Sequence, residues 1–215
     1  MDPDVIDAVR QPAEAPVDGA KRRQIMDGAR KVFLARGFDA ASMGEIARAA
    51  GVSKGTLYFY FDSKERLFEA IAHEACLAQA RQIFALGPTE RDVEGVLTRL
   101  GCEYVKFLCR PGAMSPLRTV ISISERMPEI GRDFYESGPA LGVATLRRYL
   151  ESQVAAGTLT IADSEVAAAQ FLDSCVATIF GPLLFNARGV PSQERIEHVV
   201  GIAVSTFIAA YRRTI

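Results

Sequence analysis

Residues 53–64, SKGTLYFYFDSK, gather Lys54, the hydroxyls of Ser53 and Thr56, and the phenols of Tyr58 and Tyr60. These groups suit recognition rather than bond-making. Lysine brings charge, and hydroxyls and phenols donate to phosphate oxygens. Gly55 lets one backbone approach another, and Phe59 can meet a thymine methyl. The partner these types describe is duplex DNA. A plain helical hairpin with core aromatics is the alternative, but Tyr58, Phe59, Tyr60 and Phe61 are consecutive. One helix cannot bury all four.

Presenting these groups takes two short helices joined by a tight turn. Ser42 followed by Glu45 is a capping-box spacing, and Ile46, Ala47 and Ala50 give the first helix an apolar stripe. Gly51 supplies the left-handed residue that ends many helices, and Val52 is expected as a buried pin in the turn. Ser53 caps the second helix, where Leu57 and Phe61, four apart, face inward. Helix, glycine-bearing turn and helix make a helix-turn-helix, whose second helix can enter the major groove.

Over residues 21–68 the chain resembles the N-terminal DNA-binding domain of TetR-family transcriptional regulators. Phe33/Gly37/Phe38, Ile46-Ala47, Gly51-Val52-Ser53, Gly55-Thr56-Leu57-Tyr58, Tyr60-Phe61, Ser63-Lys64-Glu65 and Leu67-Phe68 carry the likeness. Gly44 stands where that family often has an acidic residue, and Phe59 where it more often has a polar one. Those departures bear on operator sequence, not on class. The resemblance implies a phosphate contact for Lys64, aided by the N–H groups of the helix it begins. The candidate DNA-contact set is Ser42, Gly44, Ser53, Lys54, Gly55, Thr56, Tyr58, Phe59, Tyr60 and Lys64.

Charge is distributed accordingly. The 215-residue chain has a net charge of −1, which by itself argues against a nucleic-acid binder. Yet residues 20–66 carry +5, residues 1–19 carry −4 and the remainder −2. Cationic side chains are concentrated where the duplex is expected. Hydrophobic content of 49% supplies a real core. No two of Cys76, Cys102, Cys109 and Cys175 form a C-x-x-C, so spacing offers no zinc site. An acidic, proline-bearing start and the lack of a long apolar run predict a cytoplasmic protein with reduced thiols.

Periodicity predicts an all-α fold of about nine helices. Residues 1–19 read as a disordered arm, 20–66 as the DNA-binding domain and 67–215 as a ligand-binding and dimerisation domain. The first helix is expected over 21–37, with Gly28 either permitting close packing or merely tolerated. Lys21, Arg22 and Arg23 at its start suit either phosphates or solvent. A helix starting at Asp62 or Ser63 should run to about Leu86 and act as the lever between the domains. Thr89 can cap a helix over 90–109. Ser137-Gly138-Pro139 should break or kink a later one. Asp163 caps a helix reaching about Asn186, bent at Gly181-Pro182, and Ser192 caps the last.

Residues 114–172 also resemble the AefR-like C-terminal branch of the same family, on LRTVISISERMPEIGRDFYESGP, AAGTL and DSEVAAAQF. The family likeness implies a homodimer through the last two helices. There Phe171, Val176, Ile179, Leu183 and Leu184, then Val199, Val200, Ile202, Val204, Phe207 and Ile208, offer more apolar surface than one chain should bury. It also implies a small-molecule effector among the middle helices. Candidate lining residues are Phe84, Tyr104, Leu108, Met114, Leu117, Ile121, Phe134, Phe171 and Cys175. With no charged cluster among them, an apolar or neutral ligand is expected. Cys102 and Cys109, seven apart, read as buried thiols before a redox pair. His73 and His198 have no ligand-spaced partners. No catalytic elbow, metal motif or phosphate-cradling loop is present, so no enzyme, cofactor or metal is expected. The reading is a ligand-released repressor on a palindromic operator. The alternative is a non-sequence-specific architectural DNA binder.

Overall fold

The computed structural model describes residues 16–83 and 90–212. Contacts divide the chain into two units, one ending at Ile71 and the other starting at Ala72.

In the first unit, helix α1 (Pro16–Ala40) starts inside the stretch read as an arm. Proline at a first helical position sacrifices no hydrogen bond, so Pro16 can begin a helix. Gly37, at φ 75 and ψ 170, breaks the helical path near its end. Helix α2 (Met43–Ala50) carries the full capping box: the Ser42 side chain accepts from the Glu45 N–H, and the Glu45 carboxylate accepts from the Ser42 N–H. It ends on Gly51 in the left-handed conformation. Ser53 caps α3 (Lys54–Tyr60) by accepting from the Thr56 N–H. For α4 (Lys64–Ile83), the cap is Ser63 rather than Asp62, its hydroxyl accepting from the Arg66 N–H.

Ile25, Met26, Ala29, Ile46, Ala47, Leu57, Phe61 and Leu67 form this unit's core. Gly28 settles its open question as close packing. A Cβ there would lie 2.6 Å from that of Ala50 and 2.7 Å from the Ala50 backbone. Gln24 closes the same crossing, donating to the Ala50 carbonyl at 2.6 Å. Val52 is only half-buried. Its side chain packs against the cluster from the edge.

In the second unit, α5 (Val93–Leu108) is capped by Asp92; the expected cap, Thr89, lies outside the described residues. Helix α6 (Met114–Ile123) follows, then α7 (Pro128–Tyr135). A π-helical turn, Glu136–Ala140, joins α7 to α8 (Leu141–Ala155). Of the break or kink expected at Pro139, the break is absent: the disruption takes the form of a wider turn that accommodates the missing N–H. Asp163 caps α9 (Ser164–Cys175) through the Glu165 and Val166 N–H groups.

The expected single helix to Asn186 does not form. It stops at Cys175, passes through Thr178 at φ 65 and restarts as the short α10 (Phe180–Leu184). Gly181 and Pro182 lie inside α10's first turn, where proline sacrifices nothing. Its ring would instead strike the carbonyl four residues earlier, at Thr178, so the break falls upstream. The last helix is α11 (Gln193–Tyr211), capped by Ser192.

This core centres on α5, α8, α9 and α11. Gly101 sits at a close crossing, where a Cβ would lie 2.8 Å from Val200 Cγ1 and 2.9 Å from Cys175 Sγ. Phe171, Phe207 and Tyr211 pack in sequence, the first pair edge-on and the second tilted, with centroids 5.5 and 4.8 Å apart. Among the described residues no strand forms, and no helix is long and apolar enough to cross a membrane.

Candidate nucleic-acid interface

Two local devices build the interface. Capping at Ser42 and Ser53 fixes where α2 and α3 begin, and Gly51 sets the turn between them. Burial of Leu57 and Phe61 then fixes the rotation of α3. The opposite face is left in water: Tyr58 is 50% and Phe59 80% exposed, with Ser53, Lys54 and Gly55 exposed beside them. Tyr60 is half-buried, its ring edge-on to Phe59 at 5.2 Å. The Ser53 and Thr56 hydroxyls lie 2.8 Å apart. Each keeps spare capacity, since a hydroxyl donates once and accepts twice.

At the start of α2, Ser42 is exposed but committed to its cap, its hydroxyl donating to Glu45 at 2.9 Å. The other Glu45 oxygen faces Arg36 at 3.4 Å. These contacts, the Ser42 hydroxyl first, hold the Glu45 carboxyl below its usual range. Arg36 escaped the sequence reading, because nothing in α1's pattern shows that it reaches α2. Arg22 lies over the Phe61 ring at 5.2 Å, and Lys21 donates to Gln24 at 3.0 Å, so the opening cationic run is partly folded against the unit.

Lys64 differs from its expected place. Its ammonium donates to the carbonyls of Phe38, Asp39 and Ala41 at 2.8, 3.2 and 3.1 Å and lies 4.5 Å above the Phe38 ring. An ammonium has three donors, and all three are used inside the protein. These carbonyls stand at the end of α1 and just beyond it, where C=O groups lack intrahelical donors; that of Phe38 also accepts from the Ala41 N–H at 3.3 Å. Rings of Phe33, Phe38 and Phe68 pack around the same joint, with centroids 5.1 to 5.7 Å apart.

In the second unit, the predicted lining residues do not form one set. Met114, Phe171 and Cys175 are buried in the core, with Tyr104, Leu108 and Leu117 packed against it. Ile121 is 53% exposed. It lies on the outer face of α6, whose buried positions are Met114, Val120 and Ile123. Phe134 is half-buried and not part of that core. Phe84 lies outside the described residues. Burial pushes the Tyr104 phenol and the Cys175 thiol up to about 12, so both stay neutral at physiological pH. The same cause raises Cys102 and Cys109, which disfavours the thiolate a redox sensor needs. An open groove between α1 and α2, lined by Arg23, Gln24, Asp27 and Lys31, contains none of the predicted lining residues.

The expected excess of apolar surface on the last helices also proves smaller. Phe171, Ile179, Leu183, Val199, Val200, Val204 and Phe207 are buried within their own unit, in the core that α9 and α11 share with α5 and α8. Ile202, 56% exposed, remains outside with Gly201, Ser205 and Ala209 on α11's free face.

A capped helix-turn-helix ahead of an all-helical second unit defines a class of DNA-binding regulators. The model of bacterial regulatory proteins of the tetR family matches residues 25–71, and that of the AefR-like transcriptional repressor C-terminal domain matches residues 95–213. The chain belongs to the TetR family. That membership favours a regulator over an architectural DNA binder. Among solved structures, a TetR-family regulator from Mesorhizobium loti is 26% identical with a TM-score of 0.83, covering 91% of this chain and 98% of its own. The flavonoid-responsive regulator FrrA is 31% identical with a TM-score of 0.77, covering 92% and 100%. The HTH-type transcriptional repressor Rv1474c of Mycobacterium tuberculosis is 32% identical over 134 residues, which span 60% of this chain and 64% of that relative.

Proposed function

We propose that this protein is a homodimeric repressor that binds a palindromic operator and leaves it when a small apolar or neutral molecule binds the second unit. The observation that carries the reading is the outward face of α3, where Ser53, Lys54, Gly55, Tyr58 and Phe59 stand exposed on a helix locked by Leu57 and Phe61. Lys54 and Tyr58 supply phosphate contacts, and Thr56 and Phe59 meet base edges. Two such helices about 34 Å apart read successive turns of the major groove. The dimer forms through α9, α10 and the free face of α11, where small residues flank Ile202. For the effector, the neutral core around Tyr104, Leu108, Leu117 and Phe171 favours an uncharged molecule. The flavonoid named for FrrA is of that kind. Effector binding favours a conformer whose two recognition helices no longer match the operator spacing.

The test is binding to a duplex from the region upstream of the protein's own coding sequence, against a random duplex of equal length. Specific recognition predicts a preference of about 10³ or more. A ratio near one would overturn the repressor reading.

A further inference from the structure

We propose that Gly44 determines how strongly this protein holds DNA, and that it acts through Lys54 rather than by touching the duplex. The proposal rests on the DNA-binding reading above and names a determinant within it.

A Cβ on Gly44 would lie 3.3 Å from Cε and 3.6 Å from Nζ of Lys54. The lysine at the start of α3 therefore lies along the first turn of α2, in the notch left by a missing side chain. Its ammonium is uncommitted there. The carboxylate next in sequence, Glu45, is already engaged: one oxygen accepts from the Ser42 N–H at 3.2 Å and hydroxyl at 2.9 Å, and the other faces Arg36 at 3.4 Å. Lys54 makes no hydrogen bond or ion pair among the described residues. A helix's first turn carries positive partial charge, so α2 repels the ammonium rather than holding it. An exposed cation with no internal partner can move to a phosphate without breaking an interaction. Lys64 contrasts with it, each donor already bound to a carbonyl.

Substitution at 44 should change this in a graded way. A neutral side chain meets only the far end of a flexible lysine, which yields by a few tenths of an ångström. A carboxylate would sit at a helix N-terminus, where the dipole favours it, within ion-pair reach of Lys54. It would hold the lysine on the protein and remove one cation from the count that neutralises phosphates.

The full chain and its G44D, G44N, K54A and G44D/K54A variants are titrated with the upstream duplex over a range of salt. K54A should make the slope of log K against log salt shallower by about one unit, roughly an eightfold loss at about 0.1 M salt. G44D should match that slope, G44N should keep the parent slope, and the double variant should be no shallower than K54A. A parent-like slope for G44D, or a two-unit change in the double variant, overturns the proposal. Carboxyl titration by NMR, without DNA, checks the contact itself. The introduced carboxylate should titrate at lower pH in G44D than in G44D/K54A, and equal values overturn the proposal. If the parent chain binds neither duplex, the DNA reading fails, while the titration still decides whether Lys54 is captured. Should G44D melt early, G44E carries the same group on a longer arm.

Discussion

The chain breaks a helical path in two places with nearly the same backbone angle, and it does so by opposite means. Between α2 and α3, Gly51 takes φ 65. Between α9 and α10, Thr178 also takes φ 65. Glycine enters that region at no steric cost, whereas a β-branched residue there is strained. What holds Thr178 comes from elsewhere. Pro182 forbids a helical carbonyl at 178. Arg195 of α11 donates to the Thr178 hydroxyl at 2.7 Å. Arg118 of α6 donates to the carbonyls of Leu183 and Leu184, both at 2.7 Å, closing the end of α10. The first turn is written in its own residues. The second combines Pro182, four residues on, with partners that reach Thr178 from 17 positions away and Leu184 from 66.

Three substitutions press on that contrast. The largest effect is expected at Gly28, under the first turn. Alanine is the better helix former by about 1 kcal/mol, yet its methyl would press on the Ala50 backbone, which cannot rotate aside. G28A should therefore destabilise the head by about 2–3 kcal/mol in denaturant unfolding, as overpacking does. A stabilised G28A would mean that the α1–α2 crossing is looser than its geometry.

Lys64 comes next. K64M removes three charge-assisted donors from the carbonyls at the end of α1, and should cost about 2 kcal/mol in the same unfolding measurement. Its slope of log K against log salt should stay at the parent value, unlike that of K54A. A slope shallower by about one unit in K64M would return Lys64 to the phosphate contacts the family resemblance implies.

The smallest effect is at the second turn. Asparagine tolerates the left-handed region better than threonine and keeps a polar group for Arg195. T178N should raise stability by about 0.5 kcal/mol, read as a small upward shift in the thermal midpoint. A clear loss would show that the hydroxyl's hydrogen bond outweighs the strain at this position.

Most of the DNA-facing unit was legible in residue types and spacing. Ser42 with Glu45, Gly51, Ser53, and the Leu57–Phe61 pair each act within four residues, and each does in the structure what its spacing predicts. Exposure of Tyr58 and Phe59 follows, because fixing two inward positions on a helix fixes the outward ones. The internal contacts of Lys64 could not be read from spacing, because its carbonyl partners lie 23 to 26 residues earlier, at the end of α1. In the second unit, Pro182 marked a disruption, but its place depended on the carbonyl the ring would strike. Ile121 and Phe134 looked like core by type, though α6 and α7 turn them away from the central cluster.

By itself, the sequence determined the helical class, the starts of α2, α3, α9 and α11, the first turn and the cationic head, since caps, glycines and periodicity act between near neighbours. Only the tertiary structure decided which lysine is spent and which is free, and which apolar faces the chain covers for itself. Those outcomes depend on groups far apart in the chain that meet only when the helices pack, and no local spacing encodes such a meeting.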